Sequence, residues 1–308
     1  MSSLFAFPGQ GAQQPGMLQA LPAEPEVRAC LDEAAEVLGQ DLARLDSAEA
    51  LRSTRAVQLC LLIAGVASAR LLLARSPAPD YVAGLSIGAY PAAVVAGALD
   101  FADALRLVAL RGELMQRAYP QGYGMTALQG LDLTTVEGLL AEADGPVFIG
   151  NLNADNQIVI AGSDAAMAAV AERARALGAG LAKRLAMSVP SHCPLLEAPA
   201  RELAAAFAEV PLRRPAIRYL SGTSARPIHD PERLRDDLAF NMCRVVDWHG
   251  TLRTAYERGV RLFIELPPGA VLSGLARRVF EKGTVIAFQG ARLDTLDALL
   301  RQEVEHSR

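Results

Sequence analysis

Residues 80–88 read DYVAGLSIG, and this stretch decides the fold class. The apolar run Tyr81–Ala83 is typical of a short buried strand, and the alanine-rich residues after Gly88 are typical of a helix. A lone serine, Ser86, stands between Gly84 and Gly88 where one pattern changes into the other. A buried strand that runs directly into a helix predicts an α/β protein with a mostly parallel sheet.

The same alternation continues on both sides of this stretch. Helical patterns such as VRACLDEAAEVLG and FADALRLVALRGELMQRA separate short, continuously apolar runs. Parallel strands covered on both faces have this character. The candidate strands of the sheet are Leu4–Phe7, Tyr81–Ala83, Ile217–Leu220, Leu262–Leu266 and Val285–Phe288.

The middle of the chain has a different order of elements. GMTALQG, PVFIGNL, NQIVIAG and LAKRLAMS are strand-like, and two helical patterns, TTVEGLLAEA and SDAAMAAVAERARALG, lie among them. The resulting order βαββαβ is that of a ferredoxin-like unit. We therefore predict a small inserted domain at residues 122–188, and a larger domain formed by residues 1–121 and 189–308.

Composition narrows the class of protein. The chain has 308 residues, 51% of them hydrophobic, and a net charge of −4, which gives no reason to expect a nucleic-acid or membrane partner. Its four cysteines are widely spaced, with no pattern typical of zinc ligands or of a disulfide framework. We expect no metal and a cytoplasmic protein. The apolar stretch at 59–67, LCLLIAGVA, is shorter than the roughly 20 residues of a membrane span and predicts a buried helix.

The stretch around Ser86 also suggests chemistry. G-x-S-x-G between a strand and a helix is the pattern of a nucleophile elbow, in which a sharp turn exposes the serine hydroxyl. The N–H of Ile87 would then face the same space and bind an oxyanion, helped by the positive end of the helix. The alternative is an ordinary glycine-rich turn. The flanking strand and helix favour the nucleophile.

A nucleophilic serine needs a base, and the chain has four histidines. His306 is near the C-terminus, and His229 is in a turn-like segment. His249 follows Trp248, which favours a partly buried structural residue. His192 lies in SVPSHCP, where the chain leaves the small domain. A constrained loop at a domain junction suits a catalytic group, so we favour His192.

The loop FPGQGAQ follows the first strand, where α/β folds bind ligands. It lacks the Gly-Lys-Ser/Thr ending of a phosphate loop and the third glycine of a dinucleotide site. Gln10, between two glycines, is a candidate second donor to an oxyanion. A simple glycine turn is an equally good interpretation of the loop alone.

The motifs together resemble those of the malonyl-CoA:acyl carrier protein transacylases. They occur in the family's order over nearly the whole chain: FPGQGAQ, GLSIGAYPAAVVAGALDFADALRLVALRGELMQ, NLNADNQIVIAG, SVPSHC and ELPPGAVLSGL. The resemblance implies an α/β-hydrolase-like large domain and a ferredoxin-like small domain. It also implies an acyltransferase that moves malonyl from malonyl-CoA to the thiol of an acyl carrier protein, with no tightly bound cofactor.

The resemblance assigns roles to individual residues. Ser86 would carry the malonyl group as an ester, and His192 would be its base and later its acid. A backbone carbonyl, here that of Asn241, would orient the histidine. Gln10 and the N–H of Ile87 would form the oxyanion hole.

Arg111 would hold the free carboxylate of the malonyl group. A planar guanidinium can bind a carboxylate through two parallel hydrogen bonds, a geometry that lysine does not reproduce. Without the resemblance, Arg111 would be interpreted as one more surface arginine, like Arg106 and Arg117.

Other implied contacts concern the two thiol substrates. Asn151, Asn153 and Gln157 are candidate contacts to the pantetheine arm, although a polar strand turn explains them equally well. A basic patch of Arg277, Arg278 and Lys282 is a candidate site for the acidic carrier, and a solvated helix face is the simpler interpretation.

The chain departs from the family at the elbow, where Leu85 replaces the usual histidine and Ala89 the usual glutamate. GLSIGAY, with SAEALRSTRAVQLCLLIAG, is more similar to the epsilon subunit of bacterial malonate decarboxylase. That subunit would load malonyl onto the phosphoribosyl-dephospho-CoA thiol of a dedicated carrier subunit and would contact other decarboxylase subunits. We prefer this function to transacylation for fatty acid synthesis, which is the alternative.

Two rival functions use other features. A serine esterase would need a carboxylate-oriented histidine late in the chain, for which Asp247 and His249 are weak candidates. A non-enzymatic scaffold would keep the fold, with Leu85 and Ala89 as marks of lost activity.

Overall fold

The computed structural model describes residues 2–119 and 121–305. In this part of the chain the strands are β1 (Ser2–Phe7), β2 (Tyr81–Gly84), β3 (Tyr123–Gln129), β4 (Val147–Ala154), β5 (Gln157–Ser163), β6 (Leu181–Arg184), β7 (Arg218–Leu220), β8 (Pro227–Ile228), β9 (Val246–Asp247), β10 (Val260–Glu265) and β11 (Thr284–Ala287).

The α-helices are α1 (Pro25–Leu38), α2 (Leu42–Leu45), α3 (Thr54–Arg75), α4 (Ala89–Val95), α5 (Phe101–Ala118), α6 (Leu133–Ala141), α7 (Asp164–Ala176), α8 (Glu197–Phe207), α9 (Pro231–Phe240), α10 (Trp248–Glu257), α11 (Val271–Ala276) and α12 (Leu293–Glu305). Short 3₁₀ helices cover Ala50–Arg52, Ser86–Gly88, Pro194–Leu196 and Asn241–Cys243.

Local sequence explains where many of these helices begin. A side-chain oxygen at the N-cap accepts a hydrogen bond from a free backbone N–H of the first turn, which stabilises the helix start. Asp41, Asp132, Ser163, Asp230 and Asp247 do this for α2, α6, α7, α9 and α10. The helices therefore start at positions that the sequence itself marks.

The first sheet has six strands in the order β11-β10-β1-β2-β7-β8. All neighbouring pairs are parallel except β7 and β8. All five strands predicted for this sheet are present, with ends shifted by one or two residues. The expected mixed α/β fold with a mostly parallel sheet is therefore what the structure has.

The second sheet has the order β6-β3-β5-β4-β9. Its first four strands, with α6 and α7, follow the predicted order βαββαβ and pair antiparallel. The sequence did not predict β9, which lies outside residues 122–188 and pairs parallel with β4. The small sheet is thus completed by a strand from the C-terminal part of the chain. The domain division and the likeness to hydrolase and ferredoxin folds stay predictions.

Both faces of the first sheet are covered by apolar clusters. The larger cluster contains most of α3, together with buried residues of α1, α5 and α8. The other face packs against α10 and α11. Helix α3 is long and apolar enough to cross a membrane by length and composition, but 89% of its most apolar window is buried inside the protein. The predicted burial of residues 59–67 is confirmed.

Candidate active site

The elbow lies at the carboxyl edge of the first sheet. Strands β1 and β2 are parallel neighbours, and Phe7 at the end of β1 is paired with Gly84 at the end of β2. The two loops that follow therefore start side by side, where open α/β sheets bind ligands. Ser86 has φ = 57°, a left-handed backbone conformation that is rare for a serine and concentrates at functional sites.

Two glycines make this turn possible. A Cβ at Gly84 would lie 1.9 Å from the carbonyl carbon of Gly88, and one at Gly88 would lie 2.1 Å from the carbonyl oxygen of Phe7. Any side chain would clash with backbone at either position. The packing of the turn therefore requires both glycines of the G-x-S-x-G motif, and the sharp change from strand to helix is the geometry of a nucleophile elbow.

His192 lies against the elbow although it is 106 residues away in sequence. Its Nε2 is 2.8 Å from Ser86 Oγ, and its Nδ1 is 2.8 Å from the carbonyl oxygen of Asn241. Since a carbonyl only accepts, Nδ1 carries the proton and Nε2 is free to accept the serine proton. The backbone N–H of His192 donates to the Met242 carbonyl, and its φ is 65°. The ring is held in the tautomer that a general base needs.

Burial keeps this histidine neutral. His192 is 2% exposed, and the loss of hydration lowers its pKa from 6.5 to about 4, with the positive charge of Arg111 acting in the same direction. The hydrogen bond to the Asn241 carbonyl opposes this shift. At neutral pH the imidazole is therefore uncharged and able to take a proton.

The other histidines take no part in this arrangement. His249 Nε2 is 2.8 Å from Asp155 Oδ1, and Asp247 caps α10 by accepting the Gly250 N–H. His229 and His249 both line a separate, open depression of about 930 Å³. His306 lies outside the described residues. Asp247 and His249 therefore do not form the late His–carboxylate pair that an esterase would place beside Ser86.

Arg111 reaches the elbow from α5 and is fully buried, whereas the side chains of Arg106 and Arg117 are 64% and 71% exposed. Its Nη1 donates to Gln58 Oε1 at 2.6 Å. Its Nη2 donates to Asn241 Oδ1 at 3.1 Å and reaches Ser86 Oγ at 3.5 Å. The interpretation of Arg111 as a surface arginine is therefore wrong.

The charge of Arg111 is not neutralised by the protein. Within residues 2–119 and 121–305 no aspartate or glutamate pairs with it, and its Nε has no hydrogen-bond partner. Burial lowers the pKa of this guanidinium from its ordinary value, as expected for an unpaired buried cation. A buried charge held only by neutral acceptors is costly. The site is therefore suited to an anion.

Gln58 is a residue of this site that the sequence did not reveal. It lies in α3, is fully buried, and its Nε2 is 3.3 Å from the Met115 sulfur. A glutamine beside the most apolar stretch of the chain was the available signal, because a buried amide needs partners. Its partner could not be identified from local sequence.

A cavity of about 460 Å³ opens onto Ser86 and His192 between the two sheets. Gln10 lines it, and a Cβ at Gly9 would lie 3.5 Å from the Ser86 Cβ, so the loop after β1 touches the elbow. Ile87, the residue after the serine, is fully buried. These positions suit the two donors predicted for an oxyanion hole.

The far wall of this cavity includes Asn151, Asn153 and Gln157 from β4 and β5. The Oδ1 atoms of both asparagines are buried and, among the described residues, have no hydrogen-bond partner. Leu85 lines the opposite side of the cavity, directly before Ser86, so the surroundings of the serine are apolar there. No group of three or more residues that could hold a metal occurs in the described part of the chain.

Known proteins are similar to this chain over nearly its whole length. The acyl transferase domain family matches residues 4–301. The malonyl CoA-acyl carrier protein transacylase of Escherichia coli (strain K12) is 38% identical over 291 residues, which cover 92% of this chain and 94% of the relative.

Solved structures are also similar. The transacylase of the same name from Coxiella burnetii has a TM-score of 0.93 and 34% identity, covering 97% of this chain and 98% of that one. A malonyl-transacylase in complex with its type II PKS acyl-carrier protein has a TM-score of 0.88 and 36% identity. The match covers 93% of this chain and 94% of that one. With a family match over nearly all of its length, this chain is a member of the acyl transferase domain family.

Proposed function

We propose that this chain is a malonyl-CoA:acyl carrier protein transacylase that works through a seryl ester. The observation that carries the proposal is the buried, unneutralised guanidinium of Arg111, 3.5 Å from the Ser86 hydroxyl. A malonyl group esterified to this serine ends in a carboxylate, the partner that the guanidinium lacks. The names of the similar proteins point to the same reaction.

The first half-reaction loads the serine. Ser86 Oγ attacks the thioester carbonyl carbon while His192 Nε2 takes its proton. The tetrahedral oxyanion is stabilised by the N–H of Ile87 and by Gln10, and the Asn241 carbonyl stabilises the imidazolium. When the carbon–sulfur bond breaks, His192 returns the proton to the CoA sulfur.

The second half-reaction reverses these steps. The carrier thiol gives its proton to His192 and attacks the seryl ester, and the serine oxygen leaves with that proton. The two substrates occupy the same cavity in turn, so the kinetics are ping-pong. The reaction consumes no water and needs no redox partner.

Arg111 supplies the preference for malonyl over acetyl groups. Each hydrogen bond to a charged group contributes about 1.5–3 kcal/mol, so two of them favour malonyl by roughly 10²–10⁴-fold. An acetyl group leaves the guanidinium without an anion.

The cavity wall fits the shared part of both substrates. The pantetheine arm of CoA and of a carrier protein has amide N–H groups, and the unpartnered Oδ1 atoms of Asn151 and Asn153 are acceptors. Gln157 lines the same wall.

An acyl carrier protein is the proposed partner, as in the solved complex of a similar transacylase. Arg277, Arg278 and Lys282 are exposed and follow α11, whose first residues line the cavity. This basic patch is the candidate docking site for an acidic carrier.

The proposed function differs from the malonate decarboxylase subunit predicted from the sequence. The similar proteins named above are transacylases, which favours the alternative function, a malonyl-CoA:acyl carrier protein transacylase. The decarboxylase interpretation rests on GLSIGAY, which contains Leu85 and Ala89, and on SAEALRSTRAVQLCLLIAG. With these residues in place, the hydrogen bond between Ser86 and His192 is present. A cytoplasmic location is part of this proposal.

Mass spectrometry of the intact protein after mixing with malonyl-CoA tests the function. We expect a malonyl adduct that maps to Ser86, persists, and disappears when a carrier thiol is added, with malonyl appearing on the carrier. Ser86→Ala is the matched control and should give no adduct.

Other outcomes would contradict the proposal. Rapid hydrolysis of malonyl-CoA without transfer to the thiol would indicate an esterase. Equal transfer by wild type and Ser86→Ala would indicate a scaffold.

A further inference from the structure

We propose that the side chain of Asn241 is a positioning residue that sets the preference for a carboxylate-bearing acyl group. It would do so by fixing the guanidinium of Arg111 relative to the base His192. The inference rests on the proposed function and adds a role for the asparagine side chain beyond that of its backbone.

One residue contacts both functional groups. Asn241 is 1% exposed and begins the 3₁₀ helix Asn241–Cys243. Its backbone carbonyl accepts from His192 Nδ1 at 2.8 Å, and its side-chain Oδ1 accepts from Arg111 Nη2 at 3.1 Å. The acid–base group and the carboxylate-binding group are therefore tied to the same residue.

The plane of the guanidinium is fixed by two amide oxygens. Gln58 Oε1 holds Nη1 and Asn241 Oδ1 holds Nη2. A planar group held at two nitrogens cannot rotate about either contact. Without the Asn241 amide, Arg111 would be held firmly only through Gln58, since its remaining contact to Ser86 Oγ is 3.5 Å long.

This geometry separates the two roles of Asn241 experimentally. Asn241→Ala removes Oδ1 but keeps the backbone carbonyl that orients His192. We expect kcat/KM for malonyl-CoA to fall roughly 10–100-fold, the equivalent of one hydrogen bond to a charged group, while that for acetyl-CoA changes less than about threefold. The pH dependence of acetyl transfer should stay as in wild type.

Asn241→Asp is the second variant, and its side chain has nearly the same size and shape. Its carboxylate would pair with Arg111 and compete with the malonyl carboxylate for the same donors. We expect a larger loss of malonyl transfer than with alanine, with acetyl transfer affected less. This variant tests the inference even if the alanine variant does not fold, which thermal unfolding would show.

A double-mutant cycle with Arg111→Ala completes the test. If Asn241 acts through the arginine, adding Asn241→Ala to Arg111→Ala should lower malonyl transfer no further. Additive losses would overturn the inference, and so would equal losses for malonyl and acetyl groups in both variants.

Failure of the proposed function looks different. A wild-type protein that transfers no malonyl group would overturn both the function and this inference. A wild type that prefers malonyl, with variants of unchanged preference, would overturn the inference alone.

Discussion

Two buried charged residues in this protein have opposite surroundings. Asp237, in α9, is 4% exposed, and its carboxylate accepts hydrogen bonds from the hydroxyls of Tyr219, Ser221 and Thr223. Arg111 is fully buried, but its hydrogen-bond acceptors are neutral. Among the described residues it has no carboxylate partner, and its Nε has no hydrogen-bond partner. The first cluster is complete within the protein, and the second is not.

The difference separates a structural charge from a functional one. Burial raises the pKa of Asp237, and its three hydroxyl partners act in the opposite direction by stabilising the carboxylate. Burial lowers the pKa of Arg111, and the neighbouring Tyr90 acts in the opposite direction. Among the described residues, no aspartate or glutamate pairs with this guanidinium. A buried charge with spare donors beside a nucleophile indicates a binding site, whereas a fully bonded one contributes to stability.

The largest expected effect comes from removing the charge of Arg111, which has no carboxylate partner among the described residues. Arg111→Ala should lower kcat/KM for malonyl-CoA by roughly 10²–10⁴-fold and leave acetyl transfer much less affected, because only malonyl has the carboxylate. Arg111→Lys should restore little, since an ammonium group cannot form the two parallel bonds. Steady-state kinetics with both thioesters measure the ratio. Equal losses for both substrates would contradict the carboxylate role.

Removing the charge of Asp237, whose hydrogen bonds are all made within the protein, should affect stability instead of substrate preference. Asp237→Asn replaces the acceptor of three hydroxyls by an amide and should lower the free energy of unfolding by about 2 kcal/mol. For a protein of 308 residues, with an unfolding entropy of about 2.1 cal/mol/K per residue, that corresponds to a melting temperature lower by about 3 °C. The ratio of malonyl to acetyl transfer, measured well below the melting temperature, should not change. A changed ratio of malonyl to acetyl transfer would contradict the purely structural role of Asp237.

The pH dependence of acylation tests the electrostatic coupling to Arg111. His192 must be neutral to act as a base, and its pKa is about 4, so the rate should stay constant down to about pH 5. Below pH 4 the rate should fall about tenfold per pH unit.

In Arg111→Ala the second cause of the lowered pKa is removed, so this fall should begin at a higher pH. Burial, the largest cause, remains, and the pKa should stay below 6.5. Rapid-quench assays of acylation by acetyl-CoA measure the pH dependence of the rate for wild type and for Arg111→Ala. Circular dichroism at each pH is the control for folding. Superimposable profiles would show that the guanidinium does not act on the base.

The smallest expected effect concerns the hydroxyl groups that donate hydrogen bonds to Asp237. Tyr219→Phe removes one of the three hydroxyls on Asp237 and should cost about 1 kcal/mol of stability, less than Asp237→Asn. Urea unfolding measures the difference. A loss as large as that of Asp237→Asn would mean that one hydrogen bond dominates the cluster.

Local sequence predicted the elements that depend on local rules. The parallel strands, the order βαββαβ and the sharp turn at Ser86 follow from hydrophobic period, glycine and capping residues. The short strand β9 was not predicted, because two residues have no period and its partner β4 lies far away in sequence.

The candidate site was only partly predictable. Ser86 was visible from its motif, and His192 from its place between two predicted domains. The prediction of a decarboxylase subunit depended on GLSIGAY, which contains Leu85 and Ala89, and on SAEALRSTRAVQLCLLIAG. In the structure Leu85 lines the cavity and Ala89 is buried at the start of α4, where neither alters the hydrogen bonds of the serine.

By itself the sequence determined where the longer strands of both sheets form, since their hydrophobic pattern is set by neighbouring residues. Only the tertiary structure decided which histidine meets Ser86 and that Arg111 is buried without a counter-charge. Its partners Gln58 and Asn241 are 53 and 130 residues away. Such contacts depend on how whole elements pack, because a side chain's charge and hydration follow from what surrounds it in space.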